Sequence, residues 1–221
     1  MDPLVESARN EVLEGARRMS RLGLVVASWG NVSARAGSDR VVVTPSGVAY
    51  EGLTSEMLDV VSLRSGTVVE GTLRPTSELE MHLAILRVRG DVGGIVHTHS
   101  VHASAHAVAR QSIPAILEDL AQAVGGPVAC ARYAQAGTPE LASHVVEALG
   151  ERNAVLLANH GVVGVGPTVA EALRVCEVVE KGAWVHAVAR TLGTPVTLPP
   201  DDVLRLHAAY VASYGQLVGR S

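Results

Sequence analysis

The sequence contains no phenylalanine, and aromatic residues make up only 3% of its 221 residues. Proteins that stack single-stranded nucleic acid or RNA bases need aromatic platforms, which this composition does not provide. Basic residues are not in excess either, since 18 lysines and arginines stand against 22 aspartates and glutamates. We therefore expect no nucleic-acid partner, because the chain lacks the positive surface that a polyanion requires.

Long apolar runs are missing as well. Although 48% of the residues are hydrophobic, no stretch reaches the roughly 18–20 apolar residues that cross a bilayer. The two cysteines, Cys130 and Cys176, form no Cys-x-x-Cys pair, and the first residues show no signal-peptide pattern. We expect a cytoplasmic protein with no membrane partner. Since no proline- or serine-rich linker divides the chain, we expect a single domain over residues 1–221.

The amino-terminal third predicts one helix followed by short strands. Apolar residues recur at helical spacing over residues 3–22, and Gly23 follows as a natural helix end. Next come short β-branched runs separated by glycine, serine and aspartate, a density that favours an antiparallel meander. These runs cover residues 32–35, 40–44, 60–63 and 67–69.

Helix-start signals recur in the rest of the chain. A helix is predicted over residues 75–89, because Ser77 and Glu80 stand three residues apart, as in a capping box. Two more helices are predicted from their start signals and from a glycine beyond the end, one from Thr138-Pro139 to before Gly150 and one from Thr168 to Leu192. A further helical stretch is predicted from about Pro200 to Tyr214. Together with the strands, the pattern predicts an α/β architecture in which helices flank a mixed sheet.

Three histidines are the most informative residues of the chain. His97 and His99 are separated by one residue in the β-branched stretch 94–100. Their side chains leave the same face of a strand, because side chains alternate between the two faces. His160 follows an apolar run that ends at Gly161. Three imidazoles on one ion would leave positions open for water or substrate, as in catalytic zinc sites. The alternative is a set of half-buried histidines that bond to the backbone, and the spacing alone does not decide between the two.

Three loops offer the chemistry of a phosphate site. Backbone N–H groups beside glycine, together with amide and hydroxyl side chains, bind an oxyanion, and a helix amino terminus adds its dipole. Each loop alone is an ordinary turn sequence, but together they predict a phosphate cradle. The candidates in these loops are Gly30, Asn31, Ser46, Gly47, Thr76 and Ser77.

Glu78 directly follows the third loop. If its side chain faces the histidines, it is a metal ligand in the resting site and a base once substrate displaces it. A carboxylate needs only a modest rise in pKa for that work. The alternative is a surface glutamate that interacts favourably with the helix dipole. Both interpretations stand on the residues alone.

In their order along the chain, these motifs resemble the class II aldolase/adducin family, and most closely its L-fuculose-1-phosphate aldolase branch. The resemblance extends from about residue 5 to residue 215. The matching motifs are Gly30-Asn31-Val-Ser33-x-Arg35, Thr44-Pro-x-Gly47, Pro75-x-Ser77-Glu78, Val96-His97-x-His99 and Asn159-His160-Gly161.

The resemblance implies a three-layer α/β/α sandwich around a central mixed, mainly antiparallel sheet, and a homotetramer. It implies a zinc ion held by His97, His99 and His160, with Glu78 at the metal, although Mn2+ or Co2+ fits the same ligands. It also implies that the phosphate is contacted by Gly30, Asn31, Ser46, Thr76 and Ser77.

The implied reaction is the reversible cleavage of a ketose 1-phosphate into dihydroxyacetone phosphate and an aldehyde. Zinc would polarise the carbonyl group and stabilise the enediolate that develops. In the synthetic direction Glu78 would remove a proton from the hydroxymethyl carbon beside the carbonyl. The expected partner is therefore a small phosphorylated sugar.

The chain departs from the family at the aldehyde end. In fuculose phosphate aldolases a tyrosine shortly after an Ile-Pro-Ala-Ile segment acts as the acid that protonates the aldehyde oxygen. In this chain Glu118 stands in its place. A glutamate can donate that proton only if burial raises its pKa. Ala136 replaces an expected aromatic residue and widens this end, which favours a 5-deoxyketose or methylthioketose 1-phosphate. Tyr214 matches a family tyrosine and is expected either to contribute to catalysis or to anchor the last helix.

Two other functions stay open. One is a related enzyme on the same scaffold, such as a sugar-phosphate 4-epimerase, decarboxylase or dehydratase. The other is a non-catalytic interaction module of the adducin kind, in which the scaffold persists without metal chemistry. The presence of all three histidines and of Glu78 counts against this second alternative.

Overall fold

The computed structural model of the chain describes residues 2–213. The helices are α1 (Pro3–Arg21), α2 (Leu79–Val88), α3 (Val101–Ala109), α4 (Glu118–Val124), α5 (Pro139–Leu149), α6 (Val169–Leu192) and α7 (Pro200–Ser213). The strands are β1 (Asn31–Ala36), β2 (Arg40–Val43), β3 (Asp59–Ser62), β4 (Val68–Glu70), β5 (Gly94–Thr98), β6 (Ala129–Ala131), β7 (Ala154–Leu157) and β8 (Gly161–Gly166). None of the helices in this range combines the length and apolarity needed to span a membrane.

These strands form one sheet in the order β4-β3-β2-β1-β5-β8-β7-β6. Strands β1 to β4 are sequential antiparallel neighbours, which confirms the predicted meander. Strand β5 inserts between β1 and β8, and β6 runs parallel to β7 while the other neighbouring strands are antiparallel. Because His97 is paired with Asn31 on one side and Val163 on the other, it lies in the middle of the sheet.

Helices cover both faces of the sheet. On one face Ile95 of β5 belongs to a core that includes side chains of α2 and α5. On the opposite face Val96 packs with α1 and α6, and α3 and α4 extend that layer. This arrangement confirms the α/β/α sandwich with a mixed, mainly antiparallel sheet. Since side chains alternate along a strand, His97 shares the face of Ile95 and points towards α2.

Local signals predicted the starts of two long helices correctly. Helices α5 and α6 follow Thr138 and Thr168, whose hydroxyls accept hydrogen bonds from the N–H groups of Leu141 and Glu171. These bonds satisfy backbone donors that have no partner within the first turn. Helix α7 starts at Pro200 as expected, whereas its expected last residue, Tyr214, lies outside the described residues.

The predicted start of the helix over residues 75–89 is wrong, and so is its capping box. Helix α2 begins at Leu79, with Glu78 in the N-cap position and no side chain capping that end. The reason lies in the preceding loop, where the N–H of Thr76 donates to the carbonyl oxygen of Thr44 at 3.0 Å. Because this backbone is already paired with another loop, it is held out of the helix.

Candidate active site

Three imidazole rings meet at the carboxyl end of β5. Those of His97, His99 and His160 lie with their centroids 4.8 Å apart in each pair, edge to face. Each ring offers one nitrogen, and the three nitrogens lie within 4.8 Å of one another. The structure thus brings together the three histidines that the sequence singled out, in an arrangement that fits one ion.

His160 reaches the other two histidines through a tight turn between β7 and β8. Asn159 has a φ angle of 57°, in the left-handed region that asparagine adopts more readily than most residues. Gly161 lies so close to β5 that a Cβ atom there would be 2.3 Å from the carbonyl oxygen of Thr98. The Asn-His-Gly sequence is therefore what this turn requires.

The orientation of His97 suits a metal ligand. Its ring is fully buried, and Nδ1 lies 3.0 Å from the carbonyl oxygen of Val162. Since a carbonyl oxygen only accepts, Nδ1 carries the proton and donates it. In the neutral ring, which is the form that binds a metal, the lone pair on Nε2 faces His99, whose Nε2 is 3.0 Å away. A backbone carbonyl that fixes the tautomer of a ligating histidine is a regular feature of metal sites.

Glu78 completes the cluster from the amino terminus of α2, with only 5% of its surface exposed. Its Oε2 lies 3.1 Å from Nε2 of His97 and accepts a hydrogen bond of 2.9 Å from the amide of Asn31. Its Oε1 lies 3.7 Å from Nε2 of His160 and has no hydrogen-bond partner among the described residues. Burial alone would raise the pKa of Glu78, but His97 and then His160 hold it well below its usual range.

The same contacts act on the histidines. Burial lowers the pKa of His99 to about 4, with His97 and His160 adding to the effect, and it also lowers the pKa of His160. Burial opposes protonation of His97 too, but the neighbouring Glu78 carboxylate outweighs it and raises the pKa of His97. Since the neutral imidazole is the form that binds a metal, His99 and His160 are in the ligating form at neutral pH.

The cluster borders a cleft of about 290 Å³. All six residues that the sequence proposed for phosphate binding line this cleft, although they come from three separate loops. Two of these loops are joined by a hydrogen bond of 2.8 Å from the N–H of Ser46 to the carbonyl oxygen of Arg74. The lining residues are Ser28, Trp29, Gly30, Asn31, Pro45, Ser46, Gly47, Thr76, Ser77, Glu78, His99, Ala136 and His160.

Glu118, the second predicted catalytic residue, does not line this cleft. Glu118 is exposed in the first turn of α4, where its charge acts on Arg205 of α7. Tyr214 lies outside the described residues. Ala136, which the sequence placed at the aldehyde end, does line the cleft.

The sequence predicted no role at the site for two buried residues behind Glu78, His82 and Ser33. His82 is fully buried, and its Nε2 lies 2.5 Å from Oδ1 of Asn31. The hydroxyl of Ser33 lies 2.6 Å from the other ring nitrogen of His82. One signal was available, because residues four apart on a helix share a face and His82 follows Glu78 by four.

The chain is similar to known proteins over most of its length. The family model described as "Class II Aldolase and Adducin N-terminal domain" matches residues 10–186. A 5-deoxy-D-ribulose 1-phosphate aldolase of Bacillus thuringiensis serovar kurstaki is 35% identical over 214 residues, 96% of this chain and 99% of that protein. An L-fuculose phosphate aldolase of Escherichia coli K12 is 35% identical over 205 residues, 93% of this chain and 94% of that protein.

Similarity extends to another activity and to solved structures. The L-ribulose-5-phosphate 4-epimerase UlaF of Salmonella paratyphi B is 35% identical over 215 residues, 90% of this chain and 92% of that protein. A solved L-fuculose 1-phosphate aldolase superposes with a TM-score of 0.89 at 30% identity, covering 93% of this chain and 96% of that one. Both sequence and fold therefore relate this chain to enzymes that act on sugar phosphates.

Proposed function

Because the chain belongs to the class II aldolase and adducin family, we propose that it is a metal-dependent aldehyde-lyase. Its reaction would be the reversible cleavage of a ketose 1-phosphate into dihydroxyacetone phosphate and an aldehyde. One observation carries this proposal: the buried carboxylate of Glu78 lies between three convergent histidines and the loops that line the same cleft. Such a site has groups to bind a phosphate and to remove a proton beside a carbonyl.

We propose that His97, His99 and His160 hold a zinc ion, with Glu78 as a further ligand in the resting site. Three neutral nitrogens and one carboxylate also suit Mn2+ or Co2+. When bound, such a cation polarises a carbonyl group and stabilises the negative charge that develops on its oxygen. The fixed tautomer of His97 and the convergence of the three rings support this assignment.

The phosphate is assigned to the loop side of the cleft. There Gly30, Gly47 and Ser77 offer backbone N–H groups, and Ser46, Thr76 and Ser77 offer hydroxyls, close to the amino terminus of α2. The amino terminus of a helix attracts an anion, because its first N–H groups lack partners and its dipole is positive at that end. Binding here would place the carbon chain of the substrate towards the histidines.

Glu78 is assigned the proton transfer. In the synthetic direction it would take a proton from the hydroxymethyl carbon of dihydroxyacetone phosphate, and in the cleavage direction it would return one. Its burial keeps water away, while the neighbouring histidines and Asn31 keep it ionised and therefore able to accept a proton.

The proton donor for the aldehyde oxygen is proposed to be Glu118 of another copy of the chain. Glu78 is the one acidic side chain among the described residues that line the cleft. Asp119, the neighbour of Glu118, forms an ion pair with Lys181 of α6. Trp184, three residues after Lys181, is 57% exposed on the same helix. In a homotetramer this surface would be covered, and Glu118 would then approach the cleft of a neighbouring copy.

The oligomer can be tested by light scattering at several concentrations. Trp184→Glu is expected to convert tetramers into smaller species, whereas Leu204→Glu, on an equally exposed leucine of α7, is expected to leave them intact. A wild-type protein that is monomeric and fully active would contradict the assignment of Glu118.

The substrate is proposed to carry a short aldehyde portion, as in a 5-deoxyketose, a methylthioketose or a fuculose-like 1-phosphate. Ala136 supports this choice, because a methyl group in this wall leaves room without offering a polar partner. The B. thuringiensis relative is named for a 5-deoxyribulose 1-phosphate, which is a ketose of this kind.

The test uses purified protein with added zinc, dihydroxyacetone phosphate and a series of short aldehydes, with products identified by NMR. Formation of a new carbon–carbon bond is expected, and Glu78→Gln should abolish it because the amide cannot accept the proton. The proposal fails if no aldehyde gives a product, or if Glu78→Gln remains fully active.

The similarity to UlaF favours one alternative, a 4-epimerase on a pentulose phosphate, and a decarboxylase or dehydratase would use a similar site. NMR of the products separates these reactions, since an epimerase inverts one centre and releases no aldehyde. A protein that takes up no stoichiometric metal, and shows none of these reactions, would instead indicate an adducin-like interaction module.

A further inference from the structure

A chain of hydrogen bonds runs behind Glu78, away from the cleft. The Oε2 atom of Glu78 bonds to Nδ2 of Asn31 at 2.9 Å, and Oδ1 of Asn31 lies 2.5 Å from Nε2 of His82. The Nδ1 atom of His82 lies 2.6 Å from the hydroxyl of Ser33. None of these side chains is more than 5% exposed, and so water does not compete for the bonds.

The donor and the acceptor of each hydrogen bond in this series follow from Glu78, at its start. An ionised Glu78 only accepts, and Asn31 must therefore turn its NH2 group towards it and its carbonyl oxygen towards His82. His82 must then donate from Nε2, and as a neutral ring it accepts at Nδ1. Ser33 supplies the hydroxyl proton for that last bond.

His82 is held in its neutral form. Burial lowers its pKa to about 4, although the carboxylate of Glu78 acts in the opposite sense. The ring is therefore neutral at pH 7 and has one donor and one acceptor. The hydroxyl of Ser33 supports the tautomer that Glu78 imposes through Asn31, because it supplies the donor that Nδ1 needs.

We propose that Ser33 and His82 are positioning residues that lock the amide of Asn31, so that Oε2 of Glu78 stays occupied and Oε1 is the oxygen that exchanges the substrate proton. This inference rests on the proposed function. It is supported by the asymmetry of the carboxylate, because Oε2 accepts from Asn31 whereas Oε1 is buried without a hydrogen-bond partner among the described residues.

Loss of the Ser33 hydroxyl would leave Nδ1 of the buried His82 ring without a hydrogen-bond partner. The ring would then be held less firmly against Oδ1 of Asn31, and the amide and the carboxylate behind it would lose their fixed orientation. The phosphate loops would be unaffected, since neither Ser33 nor His82 lines the cleft.

The decisive experiment measures hydrogen exchange at the hydroxymethyl carbon of dihydroxyacetone phosphate in D2O by proton NMR, without any aldehyde. For Ser33→Ala the exchange rate constant is expected to fall by about 10-fold or more, the usual cost of losing a residue behind a catalytic site. The KM for dihydroxyacetone phosphate should change less than about 2-fold, because uniform binding is preserved. Ser33→Thr, which keeps the hydroxyl, should restore most of the rate.

A matched control and a second readout separate positioning from folding. Ser104→Ala removes another buried hydroxyl, one that has no hydrogen-bond partner among the described residues, and should leave exchange unchanged. In the metal-free protein, 15N NMR should show the His82 proton on Nε2 in both proteins, with the Nδ1 signal displaced in Ser33→Ala because that nitrogen has lost its hydrogen-bond donor.

The outcomes are distinguishable. If the wild type exchanges the proton and Ser33→Ala matches it although its Nδ1 signal is displaced, the positioning role is wrong while the aldolase proposal stands. If the folded, metal-loaded wild type exchanges nothing and forms no carbon–carbon bond, the proposed function itself fails.

Discussion

The carboxylate of Glu180, on α6, accepts a hydrogen bond of 2.9 Å from the backbone N–H of His102, at the start of α3. It also accepts one of 2.9 Å from the N–H of Ala103, and the His102 ring nitrogen lies 2.7 Å away. Ser100, the N-cap residue of α3, makes no capping bond with its own side chain. Glu180 thus caps α3 from another helix, directly after the chain leaves His99.

Replacement of this cap should weaken the fold measurably. Glu180→Gln keeps the size of the side chain but loses the charge that favours bonds to a helix amino terminus. We expect the free energy of unfolding to fall by about 1–2 kcal/mol in urea titrations. Glu177→Gln is the matched control, because it breaks a pair with Arg18 at the surface and should cost less than about 0.5 kcal/mol. Equal effects of the two substitutions would contradict the capping role.

The same contact predicts a pH dependence of stability. Burial would raise the pKa of Glu180, but hydrogen bonds from His102 and Ala103 outweigh it and lower the pKa in the folded chain. A group whose folded pKa is depressed stabilises the fold above its unfolded pKa, about 4.3 for glutamate, and loses this effect as pH falls through the folded value.

The difference in unfolding free energy between wild type and Glu180→Gln is therefore expected to be constant from about pH 8 to 6. It should shrink below about pH 4.5. Urea titrations at a series of pH values measure it, and a difference that grows towards acid would show that the pKa of Glu180 is raised instead.

Much of the sheet and several helices could be predicted because their signals are local. The meander joins strands that follow one another, and Thr138 and Thr168 cap helices that begin at the next residue. The proximity of His97 and His99 follows from strand geometry alone. His160 is different, since its approach depends on β8 pairing with β5, a choice that no local pattern encodes.

The supporting contacts of the site could not be predicted for the same reason. Ser33 meets His82 only because its side chain leaves β1 on the face of the sheet that α2 covers, and Glu180 reaches α3 only after α6 has packed. The capping box at Ser77 failed because the loop backbone had a stronger partner elsewhere. A hydrogen bond between two loops thus prevented the helix start that the local sequence predicts, beside the candidate active site.

Gly30 is expected to tolerate no side chain. Its φ angle is +116°, and a Cβ atom there would lie 2.7 Å from the carbonyl oxygen of His97. Gly30→Ala should therefore displace β5 and lower the free energy of unfolding by about 2 kcal/mol or more, while weakening zinc binding. Gly52→Ala, where a Cβ meets nothing within 4 Å, should have little effect. Thermal unfolding and competition with a chromophoric chelator measure both quantities.

Zinc should stabilise the fold through the three histidines. An ion present at about 100 times its dissociation constant adds about 2.7 kcal/mol to the free energy of unfolding. We expect zinc to raise the melting temperature of the chelator-treated wild type and to have little effect on His160→Ala. His144→Ala, on a histidine that faces the carbonyl oxygen of Arg132 outside the cleft, should respond as the wild type does. An unchanged zinc response in His160→Ala would remove this residue from the ligand set.

Ala136 offers the sharpest test of the aldehyde end. Ala136→Phe adds a ring to the cleft wall, and it should lower kcat/KM for ketose 1-phosphates with longer aldehyde portions about 10-fold more than for the shortest one. The exchange reaction of dihydroxyacetone phosphate should be nearly unchanged, because this half-reaction needs no aldehyde. Ala105→Phe, on an exposed alanine of α3, controls for the added ring. A uniform loss across all substrates, or loss of the exchange reaction, would place Ala136 at the phosphate or metal end instead.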